Sequence, residues 1–201
     1  MVDFEGFYSL EWVQVTTAFV YVVFIMFVPF VFWIVSKKLV GEAKSKYIEL
    51  SLDIYLTIFF LLISPVGYLV LYFIGSENKF MLNDPLPWVC LVGGTASLFD
   101  LIRSNFKLNV AKDKSSNRNR LMIIIAFKNV VKVASFLTLI PLLYGLIMVV
   151  VTNMVDTSAL SSIIWFITFL ITGLSIIYTA ASKSILYLSQ AYSEDPSLGE
   201  K

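Results

Sequence analysis

Residues 103–120 read RSNFKLNVAKDKSSNRNR, the one long polar run inside the chain. It sets six bases, Arg103, Lys107, Lys112, Lys114, Arg118 and Arg120, against one acid, Asp113. Long apolar segments lie on both sides of it. Its sign therefore decides which way each neighbouring segment crosses a bilayer.

The composition makes a bilayer the expected surrounding. The chain has 201 residues, of which 58% are hydrophobic and 14% charged. Soluble domains hold about 25% charged residues. Several apolar runs here approach or exceed the ~20 residues that a spanning helix needs. Lipid offers no partner to backbone groups, so each span must be a helix or part of a closed barrel. The runs are continuous rather than alternating, which favours helices. The expected fold is all-α: a polytopic membrane helical bundle of about five transmembrane helices, forming a single membrane domain over 1–201.

The spans are expected at about 12–36, 50–75, 85–102, 133–152 and 159–181. Trp12 and Trp33 sit near the two ends of the first, at headgroup level. Pro29 lies inside it. Pro65 and Gly67 lie near the middle of the second, and Pro141 and Gly145 within the fourth. The third is short for a span, with a re-entrant segment as the alternative. The run 121–152 is too long for one crossing. Its first part, to Lys132, is therefore expected to be helix at or below the surface. Together with the polar run it forms a basic loop or helix over 103–132. Residues 184–201 read as a mobile tail that begins amphipathic and ends acidic.

Five spans place 14 of the 15 Lys and Arg on one side and leave Lys79 alone on the other. Such a bias in short loops faces the cytoplasm. The N-terminus is expected outside and the C-terminus inside, in a cell's inner, cytoplasmic membrane.

The chain has no histidine and one cysteine, Cys90. That excludes an intramolecular disulfide and any metal site built on His or several Cys. It also weakens the case for hydrolytic chemistry near neutral pH. No catalytic residue, metal ligand or cofactor site is assigned.

Three groups of residues remain as candidates for function. Asp53, Asp100, Arg103, Lys128 and Lys132 fall at the cytoplasmic ends of their spans. Charges at a membrane are functional candidates by default. Either they snorkel to the headgroups, with Asp100 pairing to Arg103 one turn on, or Asp53 and Asp100 face Lys128 and Lys132 in an inter-helix cluster.

Ser161, Thr168, Thr172, Ser175 and Thr179 form a stripe on one face of the last span, and Gly93 with Ser97 form a second small pair. Faces of this kind mark close helix contact, within one subunit or between subunits.

Arg103, Lys107, Lys112, Lys114, Arg118, Arg120, Lys128 and Lys132 form the basic surface. It suits the anionic lipid of the inner leaflet or an acidic cytosolic protein. Direct binding of nucleic acid is disfavoured, since Phe106 alone could stack on a base.

The leading expectation is a non-catalytic membrane subunit that anchors, or senses membrane state for, a cytosolic partner. It would form homo-oligomers and could be the membrane arm of a bacterial defence, immunity or secretion system. A transporter or channel-forming subunit for a small solute is the alternative. A lipid-modifying enzyme using Asp53 and Asp100 is a distant third.

Overall fold

A computed structural model describes residues 10–63, 66–67, 70, 74, 85–115, 117–154 and 162–194. No strand occurs among them. The helices are α1 Leu10–Ser36, α2 Glu42–Leu61, α3 Pro85–Asp113, α4 Arg118–Met154 and α5 Ser162–Glu194. Four of these, all but α2, contain stretches long and apolar enough to cross a membrane: Phe19–Ser36, Leu86–Asp113, Arg118–Thr152 and Phe166–Glu194. The expected second span, 50–75, falls only partly on described residues, and Pro65 lies outside them. So do Ser161 and the last residues of the tail.

α1 and α2 are joined by a tight turn. Gly41 closes it with φ +65°, a left-handed conformation that a residue with a Cβ adopts at a cost. Lys37 lies over the Trp33 ring at 3.5 Å, where a cation meets the negative face of the π-system.

The core of the molecule is α3, which lies between α4 and α5. Small residues let the backbones approach. A Cβ on Gly94 would stand 2.8 Å from the Leu142 backbone nitrogen of α4. A Cβ on Gly145 would stand 2.5 Å from the Leu91 backbone nitrogen of α3. Each helix thus seats its backbone against a glycine of the other. The α1–α2 pair leans on the opposite side, mainly against α5. There Ile54, Ile58, Leu61 and Leu62 meet Leu86, Val89 and Ile176. Tyr21 of α1 donates a hydrogen bond to the Phe169 carbonyl at 2.6 Å. Most of the other α1 side chains that the structure describes, between Phe19 and Val35, are exposed and apolar, with Met26, Phe27 and Phe30 pointing outward.

The polar run 103–120, expected as loop or helix, is not a loop but helix on both sides of a short link. α3 continues through it to Asp113, four residues turn the chain, and α4 begins at Arg118. Asn117 accepts a hydrogen bond from the Asn119 amide at 2.9 Å and so caps α4. Polarity misleads here because the run 103–114 holds no Gly or Pro. Leu101, Leu108 and Ala111 stay on one face and are buried against Ile124 and Val131. The short third span is accordingly a 29-residue helix.

Residues 184–194 are not a mobile tail either. They are the last turns of α5, with Ser189 and Ser193 buried and Ile185 and Tyr192 packed on the same cluster. α3, α4 and α5 therefore run together past their most apolar parts as a three-helix extension with its own small core.

Candidate functional site

The site is built where α5 meets α3 and α2. From its N-terminal half, α5 presents Thr168, Thr172, Ser175 and Thr179 to the interior, all fully buried. Thr172 shares a hydrogen bond with Cys90 at 3.2 Å. Ser175 donates to the Val89 and Cys90 carbonyls at 3.4 Å, and Thr179 donates to the Gly93 carbonyl at 3.3 Å. Ser97 and Thr179 share a further bond at 3.2 Å. A Cβ on Gly93 would meet the Ser175 hydroxyl at 2.5 Å, so glycine there lets the stripe close on α3. Tyr144 of α4 reaches Thr168 at 2.6 Å. The stripe and the Gly93–Ser97 pair thus meet each other inside one subunit, and the hydroxyls are occupied by neighbouring carbonyls and hydroxyls.

One turn beyond Thr179 the same face carries Lys183. Its ammonium lies 3.4 Å from Asp53 of α2 and 3.6 Å from Asp100 of α3. Lys183 thus joins three helices by charge, at the point where the apolar bundle gives way to the extension. The Asp100 side chain is 7% exposed, that of Lys183 19% and that of Asp53 58%. The pair with Asp100 is therefore the shielded one, and the pair with Asp53 is screened by solvent.

The expected cluster joined Asp53 and Asp100 to Lys128 and Lys132. The two carboxylates do come together, but around Lys183. Lys128 instead donates to Asn109 of α3, and Lys132 is exposed. The reason is geometric. α4 packs on α3 and α5 rather than on α2, and Lys128 and Lys132 turn to Asn109 and to the surface rather than to Asp100. Lys183 was legible as a charge at a helix end. Its partners stand far back in the chain, and no spacing rule links them.

The basic surface divides in the same way. Arg103, Lys107, Lys112, Lys114 and Arg118 are exposed on the extension. Arg120 is not, with only 2% of the residue exposed, and its guanidinium donates to the Tyr192 carbonyl at 2.7 Å. It joins the first turn of α4 to the last turns of α5.

Two grooves flank the end of α5. One, of about 500 Å³, lies between α2 and α5 and is lined by Lys46, Glu49, Asp53, Lys183 and Gln190. The other, of about 700 Å³, lies between α3 and α5 and is lined by Arg103, Phe106, Lys107, Val110, Lys114 and Glu194. Among the described residues no three His, Cys, Asp or Glu converge as metal ligands would. No known protein family, curated protein or solved structure matches the chain.

Proposed function

We propose that the chain is a multi-pass subunit of a cell's inner membrane that has no catalysis of its own. It anchors an acidic cytosolic protein, or reports the state of the bilayer to it, in the manner of the membrane arm of a defence, immunity or secretion system. The N-terminus is outside, and the extension with its bases is on the cytoplasmic side. The observation that carries this reading is the extension itself. Its bases stand on paired helices with a packed core rather than on a free loop, so a partner meets charges already held in place and loses less side-chain freedom on docking. The groove between α3 and α5 adds apolar contact, from Phe106 and Val110, to the charge of Arg103, Lys107 and Lys114.

The channel reading draws no support from the α5 stripe, whose hydroxyls are engaged by carbonyls of α5 itself and by groups of α3 and α4. Nor do Asp53 and Asp100 favour a lipid-modifying enzyme, since Lys183 already lies between them where a metal ion would have to sit.

Purification from native membranes in mild detergent, followed by mass spectrometry, tests the anchor. A stoichiometric acidic protein should co-elute at low salt and be lost from a variant carrying Lys107→Glu, Lys112→Glu, Lys114→Glu and Arg118→Glu. Arg120 is left intact because it is structural. Full retention by that variant, or no co-eluting protein at low salt, overturns the reading.

A further inference from the structure

We infer that the cleft between α1 and α2 binds an anionic phospholipid, with an acyl chain in an apolar cavity and the phosphate headgroup on Lys37, Lys38 and Lys44. This rests on one part of the functional reading, that α1 spans the membrane and ends at the headgroup level. Neither the cytosolic partner nor the bases of the extension enter it.

The cavity has a volume of about 300 Å³, and its wall includes Pro29, Phe32 and Trp33 of α1 and Ile48, Leu52 and Tyr55 of α2. The wall is held from behind. Phe32 meets Tyr47 edge to face at 6.3 Å, and Phe32 and Tyr55 pack on the core cluster that contains Ile54 and Ile58. Ser36 and Ser51 are buried and small, so they leave space that larger side chains would fill. Ser36 donates its hydroxyl to the Trp33 carbonyl at 2.8 Å and so adds no free donor to the wall. The chemistry that fits inside is hydrocarbon.

The rim is basic. Lys37 follows Trp33 by four residues, and its amide still bonds the Trp33 carbonyl at 3.2 Å. Lys44 precedes Tyr47 and Ile48 by three and four residues on α2. Each lysine therefore stands one turn beyond the wall on the same helix face. The Trp33 ring fixes Lys37 at the lip, with the ammonium 3.5 Å from the ring centre. An ammonium has three donors, so stacking on one side leaves N–H groups for a phosphate. Lys38 is next in the chain, and all three lysines are exposed. The turn that joins the helices is open, since a Cβ on Gly41 would meet nothing within 4 Å. Residues 37–46 hold four Lys against one acid, Glu42. The next acid, Glu49, lines the groove between α2 and α5 instead. Basic pockets between spanning helices on the cytoplasmic side are suited to anionic headgroups.

The apolar cavity and the basic rim together select the occupant. A zwitterionic lipid fits the cavity but brings no net charge to the lysines. A soluble anion meets the lysines but leaves the cavity unused. A helix from a second copy is too thick, since one turn of a helix about 10 Å across fills about 420 Å³. Two copies meeting here about a two-fold axis would also set their lysines against each other. An anionic phospholipid satisfies both halves at once. Its chain and its phosphate join at the level where Trp33 gives way to Lys37.

The test reads Trp33 from inside the site. The full chain with Trp12→Phe, Trp88→Phe and Trp165→Phe keeps that tryptophan alone. It is reconstituted in phosphatidylcholine vesicles with a rising fraction of lipid brominated on its acyl chains, either phosphatidylglycerol or phosphatidylcholine. Bromine quenches a tryptophan that it touches. Brominated phosphatidylglycerol should reach half-maximal quenching at a mole fraction lower by about fivefold for each lysine that the headgroup engages. Lys37→Gln, Lys38→Gln and Lys44→Gln together should abolish that preference. Ile48→Phe with Leu52→Phe crowds the cavity from its exposed side and should abolish it too. A companion chain that keeps only Trp88, exposed on α3, should be quenched equally by the two lipids. Equal quenching of Trp33 by the two lipids overturns the inference, because the cleft then holds only the lipid of its surroundings. A preference that survives the lysine variant or the cavity variant, or that Trp88 shares, overturns it as well.

Discussion

At the scale of single residues, Lys183 is the most informative side chain: of the two readings the sequence left open, the inter-helix cluster had Lys128 and Lys132 where the structure has Lys183. Asp53 and Asp100 were legible as charges at the ends of spans. The cation between them was not, since pairing between helices depends on which faces meet. The correction has a measurable form. In double-mutant cycles in a membrane-mimetic unfolding assay, Lys183→Ala and Asp100→Ala should couple by about 0.5–3 kcal/mol, because each removes the partner of a shielded charge. Lys128→Ala and Asp100→Ala should add independently. Coupling of the second pair and independence of the first would return the cluster to α4. Asp53→Asn should matter less than Asp100→Asn, because Asp53 is mostly in solvent and its ion pair is screened.

At the scale of elements, the outcome turned on where helices stop. Hydropathy marks where a segment leaves hydrocarbon, and that point need not be where the helix ends. α3 continues 11 residues past 102 to Asp113, and α5 continues well past Lys183 to Glu194. The signal lay in residues such as Leu108, Ala111, Ile185 and Tyr192, which keep the apolar face of each helix going amid polar neighbours. The length of the run 121–152 was legible, and its unbroken helicity follows from that length.

The extension depends on one buried cation. Arg120→Ala removes a charge-assisted hydrogen bond worth about 1.5–3 kcal/mol. Amide hydrogen exchange should rise in residues 185–193 and 104–111. The apolar part of the bundle around Thr172 and Cys90 should stay protected. A uniform rise across α3 and α5 would mean that the extension and the bundle are one cooperative unit.

At the scale of the whole molecule, what was legible was the outline: helices only, and nearly all Lys and Arg on one side by the expected spans. The arrangement of the helices was beyond a single sequence. Nothing in the order of segments says that α3 takes the centre and α1 the rim. The glycines at 94 and 145 could be read as small residues, but not as facing each other. Orientation is directly testable. A cysteine at Asn119, exposed in the first turn of α4, should react with a membrane-impermeant maleimide only after the cells are opened. Cys90, being buried, contributes little background. Labelling of intact cells would invert the assigned topology.

The four residues between α3 and α4 also bear on how the chain is made. So short a link leaves the two helices little freedom to find separate places in the bilayer. With Gly94 and Gly145 seated on each other's backbones, the pair can close while the ribosome is still at work. α5 is synthesised after both and must enter a groove already shaped by Gly93, Ser97 and Asp100. Until it does, Asp100 waits without its lysine. A nascent chain halted before α5 thus carries Asp100 without the ammonium that pairs with it in the finished fold.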